Sequence, residues 1–268
     1  MIRLAVRVRR DQAELVLAEL LELAPGGVEE RDDGDVVEYA VYGAPGELPA
    51  LPALRAAAGE ALVEVATTEV ADDWDQRWKA FHAPVEIGGL RVRPPWEPPH
   101  AGLIDVVIDP AQAFGTGAHA TTRLCLELLL ELDPGGALVD VGCGSGVLAI
   151  AAARLGWAPV LGVDHDPEAV RATTENAAAN GVAIQARRHD LLRAGPAPSA
   201  PTALANLLRP LLLRVAADGF AGPTPEVLVA SGLLAHEGDE VAAAFARQGL
   251  REAQRRRDGE WVALLLRA

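Results

Sequence analysis

Residues 137–148 read Ala137-Leu-Val-Asp-Val-Gly-Cys-Gly-Ser-Gly-Val-Leu148. Ala137 to Val141 is a short apolar run rich in β-branched residues. Gly142, Gly144 and Gly146 follow at every second position, and Val147 to Leu155 is rich in alanine and leucine. That pattern is a strand, a glycine turn and a helix. Glycine suits a turn where the backbone bends sharply and a ligand comes to van der Waals contact, because a Cβ would collide with it. The turn is therefore a candidate ligand cradle.

The spacing separates the candidate ligands. A dinucleotide fingerprint runs G-x-G-x-x-G, and the position that should close it is Val147. Asp140 stands just before the first glycine, and its carboxylate disfavours phosphate. A ligand with a cationic group and no phosphate fits better. S-adenosylmethionine carries an ammonium, a sulfonium and a ribose. The run Pro159-Val-Leu-Gly-Val-Asp164 is a second buried strand ending in a carboxylate, 22 residues beyond Gly142. An acid ending the second strand of such a unit grips ribose hydroxyls, so Asp164 is the candidate ribose ligand. Its alternative duty, capping the helix that opens at Pro167 and Glu168, falls better to Asp166.

Composition sets the bounds. At 268 residues and 50% hydrophobic, the chain can bury one large core or two unequal ones. No apolar run approaches about 18 residues, and the first ten residues alternate like a strand instead of forming a signal-peptide core. We expect a soluble, cytoplasmic protein with no membrane partner. The formal net charge of −14 opposes broad contact with nucleic acid phosphates and favours a basic protein partner or small molecules. The two cysteines, Cys125 and Cys143, suggest neither a disulfide framework nor a metal site. Cys143 lacks a His or Asp placed beside it in a catalytic pattern, and reads as a small residue filling the turn.

Before the cradle, Ile2, Leu4, Val6 and Val8 share one strand face, and Asp11 is expected to cap a helix bearing Leu15, Val16, Leu20 and Leu23. Val28 to Arg31 and Val36 to Tyr42 flank a turn at Asp32-Asp33-Gly34-Asp35. A short helix around Leu51 to Ala58 leads to a fourth strand at Leu62 to Val65. The order βαββαβ over residues 1–68 is a small α+β ferredoxin-like domain. Residues 69–83 read as a linker helix with Trp74 and Trp78 on one face, and Arg93 to Pro99 as a proline-restrained entry to a second domain, 84–268. There a strand at Leu103 to Ile108 delivers the glycine loop Asp109 to Thr122. The helix 167–179, the strand 182–188, Thr202 to Asn206, Glu226 to Ser231, a helix near His236 to Gln248 and a final strand pair continue the alternation. The prediction is an α/β, Rossmann-like, mainly parallel sheet with an antiparallel end and with Asn206 at the carboxyl edge where such sheets place ligands. His119, alone beside a helix start, reads as structural in preference to a base.

With these residues in hand, the chain resembles the PrmA family, class I S-adenosylmethionine-dependent methyltransferases that modify large-subunit ribosomal protein L11. The resemblance rests on Ala113-Phe-Gly-Thr-Gly-Ala-His-Ala-Thr-Thr122, on Asp140 to Ala152, and on Gly162-Val-Asp-His-Asp-Pro167. It also rests on Glu175-Asn-Ala-Ala-Ala-Asn-Gly181, Ala205-Asn-Leu-Leu208 and Ser231-Gly-Leu-Leu234. It covers about residue 72 to the end, while residues 1–68 match in layout alone. It implies a mainly parallel seven-stranded sheet, and that Thr122, Gly142, Asp164 and Asn206 contact the methyl donor, with Phe114 and Gly144 near it and no metal. The amino-terminal domain would grasp the ribosomal protein. Ala111, Gln112 and His165 depart from the family pattern.

The resemblance implies methyl transfer to lysine side chains or an N-terminal amine; we also expect a monomer, and the acidic charge leads us to expect no direct nucleic-acid binding. Asn206 is the residue we assign to orient the amine or the donor, and Phe114 to wall the site. Two readings compete: a methyltransferase acting on another protein's lysine or a small amine, and a non-catalytic ribosome-associated module holding a nucleotide.

Overall fold

Ile2, Leu4, Val6 and Val8 alternate with arginines, and the alternation makes β1 (Ile2–Arg9) with Leu4, Val6 and Val8 buried in a core. The computed structural model describes residues 2–13, 16, 17, 20, 28–43, 48, 54, 58–69, 82–110 and 117–268; the chain divides into two units, Met1–Phe81 and His82–Ala268. In the first unit β2 (Glu29–Asp33), β3 (Val36–Gly43) and β4 (Leu62–Glu69) join β1 in an antiparallel sheet of order β2-β3-β1-β4. Gly34, at φ 72°, takes the turn of the β2–β3 hairpin. Helical Ala13, Val16, Leu20, Leu54 and Ala58 pack with Val37 and Tyr39 on one face, which is the ferredoxin-like layout. Asp11, expected as a helix cap, lies in a 3-10 turn, Arg10–Gln12, that leads into helical Ala13. The helix expected over 69–83 falls outside the described residues, apart from Glu69 ending β4 and His82 and Ala83 beyond it.

The second unit begins with a small sheet of which the sequence reading foresees only the strand at Leu103 to Ile108. β5 (Val85–Ile87), β6 (Leu90–Arg93) and β7 (Ile104–Val107) lie in that order, β6 and β7 parallel. Guanidinium groups fold the proline-rich loop back onto it. Arg93 Nε donates to Asp105 Oδ1 at 2.9 Å and Arg93 Nη1 to Glu97 O at 2.6 Å, while buried Arg91 donates to Pro98 O at 2.6 Å.

Seven strands follow: β8 (Leu138–Val141), β9 (Val160–Asp164), β10 (Ile184–Arg188), β11 (Thr202–Asn206), β12 (Val227–Leu234), β13 (Arg251–Asp258) and β14 (Trp261–Arg267). Their order is β10-β9-β8-β11-β12-β14-β13, and every pairing is parallel except the two that β14 makes. The helices are α1 (Ala120–Leu129), α2 (Val147–Leu155), α3 (Pro167–Ala179), α4 (Arg209–Asp218) and α5 (Gly238–Ala246). Period-two alternation splits the core. Leu138, Leu204 and Val229 face α1 and α2, whereas Val139, Ala203, Leu228 and Ala230 face α4 and α5. No helix had been assigned to 209–218, although Pro210 in its first turn is a helix-start signal. The strand order reverses between β8 and β11, the switch point outside whose carboxyl ends ligands bind.

Candidate active site

The β8–α2 turn is built from residues that accept unusual backbone angles. Gly142, Gly144 and Gly146 have φ of 80°, 53° and 83°, a region costly for any residue with a Cβ. At Gly142 a Cβ would also lie 2.3 Å from Leu207 Cδ2. The turn is tied to β9, with Gly142 N and Cys143 N both donating to Val163 O at 2.8 and 3.0 Å.

Sheet register brings the candidates into one row. Val141 lies opposite Val163, and Asp140 opposite Leu204. Continuing by one and two residues sets Gly142 level with Asp164 and Asn206 at the ends of adjacent strands. Strands lie about 4.8 Å apart, so Asp164 and Asn206 flank the turn on the order of 10 Å from each other.

Asp164 accepts from Gly144 N at 3.0 Å through Oδ2 and from Asp166 N at 3.1 Å through Oδ1, with His165 Nδ1 also 3.1 Å from Oδ1. A carboxylate has about four lone-pair sites, so capacity remains for hydroxyl donors. The cap of α3 is Asp166, which accepts from Glu168 N at 2.9 Å, leaving Asp164 free of that duty.

Asp140 ties the end of β8 to the start of α2. It is fully buried and accepts from Ala149 N, in the first turn of α2, at 3.2 Å, while Oδ1 has no partner among the described residues. Burial pushes its carboxyl up to about 7, against the opposing pull of the Ala149 hydrogen bond. It occupies an amide of the helix N-terminus where a phosphate would dock, and so opposes phosphate there.

On the other side of the row Asn206 Nδ2 donates to Thr122 Oγ1 at 3.4 Å, so these two candidates also meet. Thr122 is buried in the first turn of α1. His119 caps that helix: its Nδ1 accepts from Thr121 N at 3.3 Å, and its ring meets Trp261 edge-on at 4.9 Å. Burial, then Arg123, hold the imidazole below its ordinary value, so it stays neutral with Nδ1 committed. Phe114, and the stretch 111–116 around it, lie outside the described residues. Cys143 is buried with its thiol pushed up to about 12 by desolvation, which leaves it inert.

Leu207 and Gly232, which enter the sequence reading only within the family stretches and with no role there, shape the loop after β11. Leu207 sets its side chain over Gly142, and its amide donates to Ser231 O at 3.0 Å. Its carbonyl approaches Gly232 so closely that a Cβ there would lie 2.4 Å from the oxygen. The signal available was the Ser231-Gly232 pair, whose glycine has a positive φ of 86°.

The sequence model of the family described as "Ribosomal protein L11 methyltransferase (PrmA)" matches residues 49–268. The chain is 42% identical over 210 residues to the ribosomal protein L11 methyltransferase of Geobacter metallireducens, covering 75% of this chain and 68% of that protein. With the protein of the same name from Pelotomaculum thermopropionicum it shares 42% over 203 residues, covering 73% and 66%. The matched stretch thus spans about two thirds of these relatives' length. The crystal structure of ribosomal protein L11 methylase from Lactobacillus delbrueckii subsp. bulgaricus superposes with a TM-score of 0.59 at 28% identity, covering 68% of this chain and 97% of that one.

Proposed function

The chain belongs to the ribosomal protein L11 methyltransferase (PrmA) family, and we propose that it transfers methyl groups from S-adenosylmethionine to amines of L11, lysine side chains or the N-terminal amine. The carrying observation is the row Asp164, Gly142, Asn206 at the switch point, beside a helix N-terminus already taken by Asp140. A dinucleotide needs that helix end for its phosphates, whereas a ribose on a cationic sulfur needs a carboxylate and a bare turn.

When bound, the donor supplies an electrophilic methyl on a sulfonium. The chain's own part is positioning and exclusion of water. Asp164 accepts ribose hydroxyls, and the backbone of Gly142 and Gly144 lines the ligand without a Cβ in the way. Asn206 commits its Nδ2 to Thr122, which leaves Oδ1 to accept an N–H of the amine and aim its lone pair. Phe114 is assigned to wall the site. Neither Asp140, His119 nor Cys143 serves as a base, because each is buried, committed or inert. The amine must arrive neutral; an ordinary lysine titrates near about 10.4 and an α-amine near about 7.7–8.0, so rate should rise with pH.

The net charge of −14 suits a basic protein substrate, and we assign residues 1–68 to grasping it, 69–83 to linking and 84–268 to chemistry, in a cytoplasmic monomer. Incubating the enzyme with labelled donor and purified L11 should label L11 and saturate with both. Saturable donor binding with no label on L11 would move the acceptor to another protein or a small amine.

A further inference from the structure

The stretch Glu175-Asn-Ala-Ala-Ala-Asn-Gly181 has no duty in the mechanism, yet the helix that carries it is polar on the face that packing alone would make apolar. Thr173, Asn176 and Asn180 lie at helical spacing on one side and are 0%, 3% and 9% exposed. Each is fully engaged. Thr173 Oγ1 donates to Gly144 O at 3.0 Å. Asn176 Nδ2 donates to Ser145 O at 2.9 Å, and its Oδ1 accepts from Asp109 N at 3.1 Å. Asn180 accepts from Val107 N at 2.8 Å and donates to Val107 O at 2.7 Å.

A buried polar side chain is costly unless every partner is in place, and an apolar residue of the same shape packs without that demand. The use of polar groups here follows what they hold. Ser145 belongs to the glycine turn, whereas Asp109 is the second residue after β7 and opens the loop that ends at Thr122. These two backbones are not neighbours in the chain, and one amide spans them.

We propose that Asn176 is a positioning residue that sets the register between the donor turn and the segment leading to Thr122, so that occupation of the turn is felt at Asp109. The proposal rests on reading Gly142–Gly146 as the donor turn. Thr173 fixes the turn from the same helix face, and Asn180 anchors the end of β7. Together they make α3 the frame that both ligand-facing segments share.

The test compares Asn176→Asp with Val215→Ala. Aspartate keeps the shape and the acceptor for Asp109 N but turns an oxygen toward Ser145 O. Val215→Ala truncates the core on the opposite face of the sheet and reports stability loss alone. In the unaltered chain, S-adenosylmethionine should slow amide hydrogen exchange both at 142–146 and at 107–110. Asn176→Asp should keep the first effect and lose the second, with donor Kd within threefold and kcat on L11 at least tenfold lower. Val215→Ala should keep both effects and its kcat. If Asn176→Asp behaves as Val215→Ala does, or loses donor affinity in parallel with kcat, the positioning role is overturned. Should the aspartate variant not fold, Asn176→Ser is read by the same criteria. The exchange readout needs donor alone, so absence of methyl transfer to L11 by the unaltered chain would sink the acceptor assignment and leave this test standing.

Discussion

The two halves of the site are held differently. On the β8–β9 side, Gly142, Cys143, Gly144 and Ala149 donate to Val163 O, Asp164 or Asp140 at 2.8–3.2 Å, and Asp166 closes onto the same Asp164 carboxylate. On the β11 side the side chain of Asn206 meets Thr122 at 3.4 Å, beyond the usual 2.7–3.2 Å for N–H···O. Leu208, two residues on, is 67% exposed. On the proposed assignment, a prebuilt donor half and a loosely held acceptor half fit an enzyme whose second substrate completes the geometry on arrival, since interactions realised only at the transition state are the ones that raise kcat.

That asymmetry breaks most visibly at Asn206. Asn206→Ala removes an acceptor used by the reacting amine, and kcat should fall about 100- to 1,000-fold, the usual cost of losing one aimed polar group, with donor Kd almost unchanged. Turnover at the unaltered rate would take Asn206 out of the site. Asp164→Ala attacks the other half and should weaken donor binding about 30- to 100-fold, from the loss of two hydrogen bonds to a charged group. Its melting temperature should fall much less than its affinity; calorimetric titration giving an unaltered donor Kd would remove the ribose role.

Asp140 sharpens the comparison through pH. Its carboxyl sits at about 7 in the fold, against about 3.9 in an unfolded chain. Between those values the folded state holds the extra proton, so the stability it contributes is fully present below about 3.9 and is lost as pH rises through about 7. Asp140→Asn keeps an acceptor for Ala149 N and does not titrate. From pH 5 to 8 the variant should gain on the unaltered chain by on the order of 2 kcal/mol in urea unfolding. Parallel stability curves would mean that Asp140 is ionised in the fold throughout.

What the chain's letters revealed divides along the same line between local and tertiary effects. The glycine turn, the strand ending at Asp164 and the cap at Asp166 are short-range patterns, and each is legible from spacing and chemistry alone. Spacing places Asp140 beside the glycine turn, but that its carboxyl is buried and accepts from Ala149 N is a tertiary fact that no spacing encodes. The strands β5 and β6 were hidden by Gly88-Gly89 and by buried Arg91 and half-buried Arg93, whose guanidinium groups pair with Asp105, a dozen or so residues away, and with loop carbonyls. Leu207, Gly232 and the Asn176 bridge act through contacts 24 or more residues apart, and no local period encodes them.

The smallest effect we predict is at the seam between the halves. Thr122 is 1% exposed and offers its hydroxyl oxygen to Asn206 Nδ2. If it touches the donor directly, Thr122→Val should raise donor Kd. The buried, Asn206-facing hydroxyl instead predicts a kcat about fivefold lower, the worth of roughly 1 kcal/mol for one neutral hydrogen bond, with donor Kd unchanged. Valine keeps the shape, so packing is conserved and the amide alone loses its anchor. In the double variant with Asn206→Ala the Thr122 effect should vanish, because an orienting group has nothing left to orient. Additive losses would show that Thr122 acts on the donor in its own right, and the boundary between the halves would then run on the far side of α1.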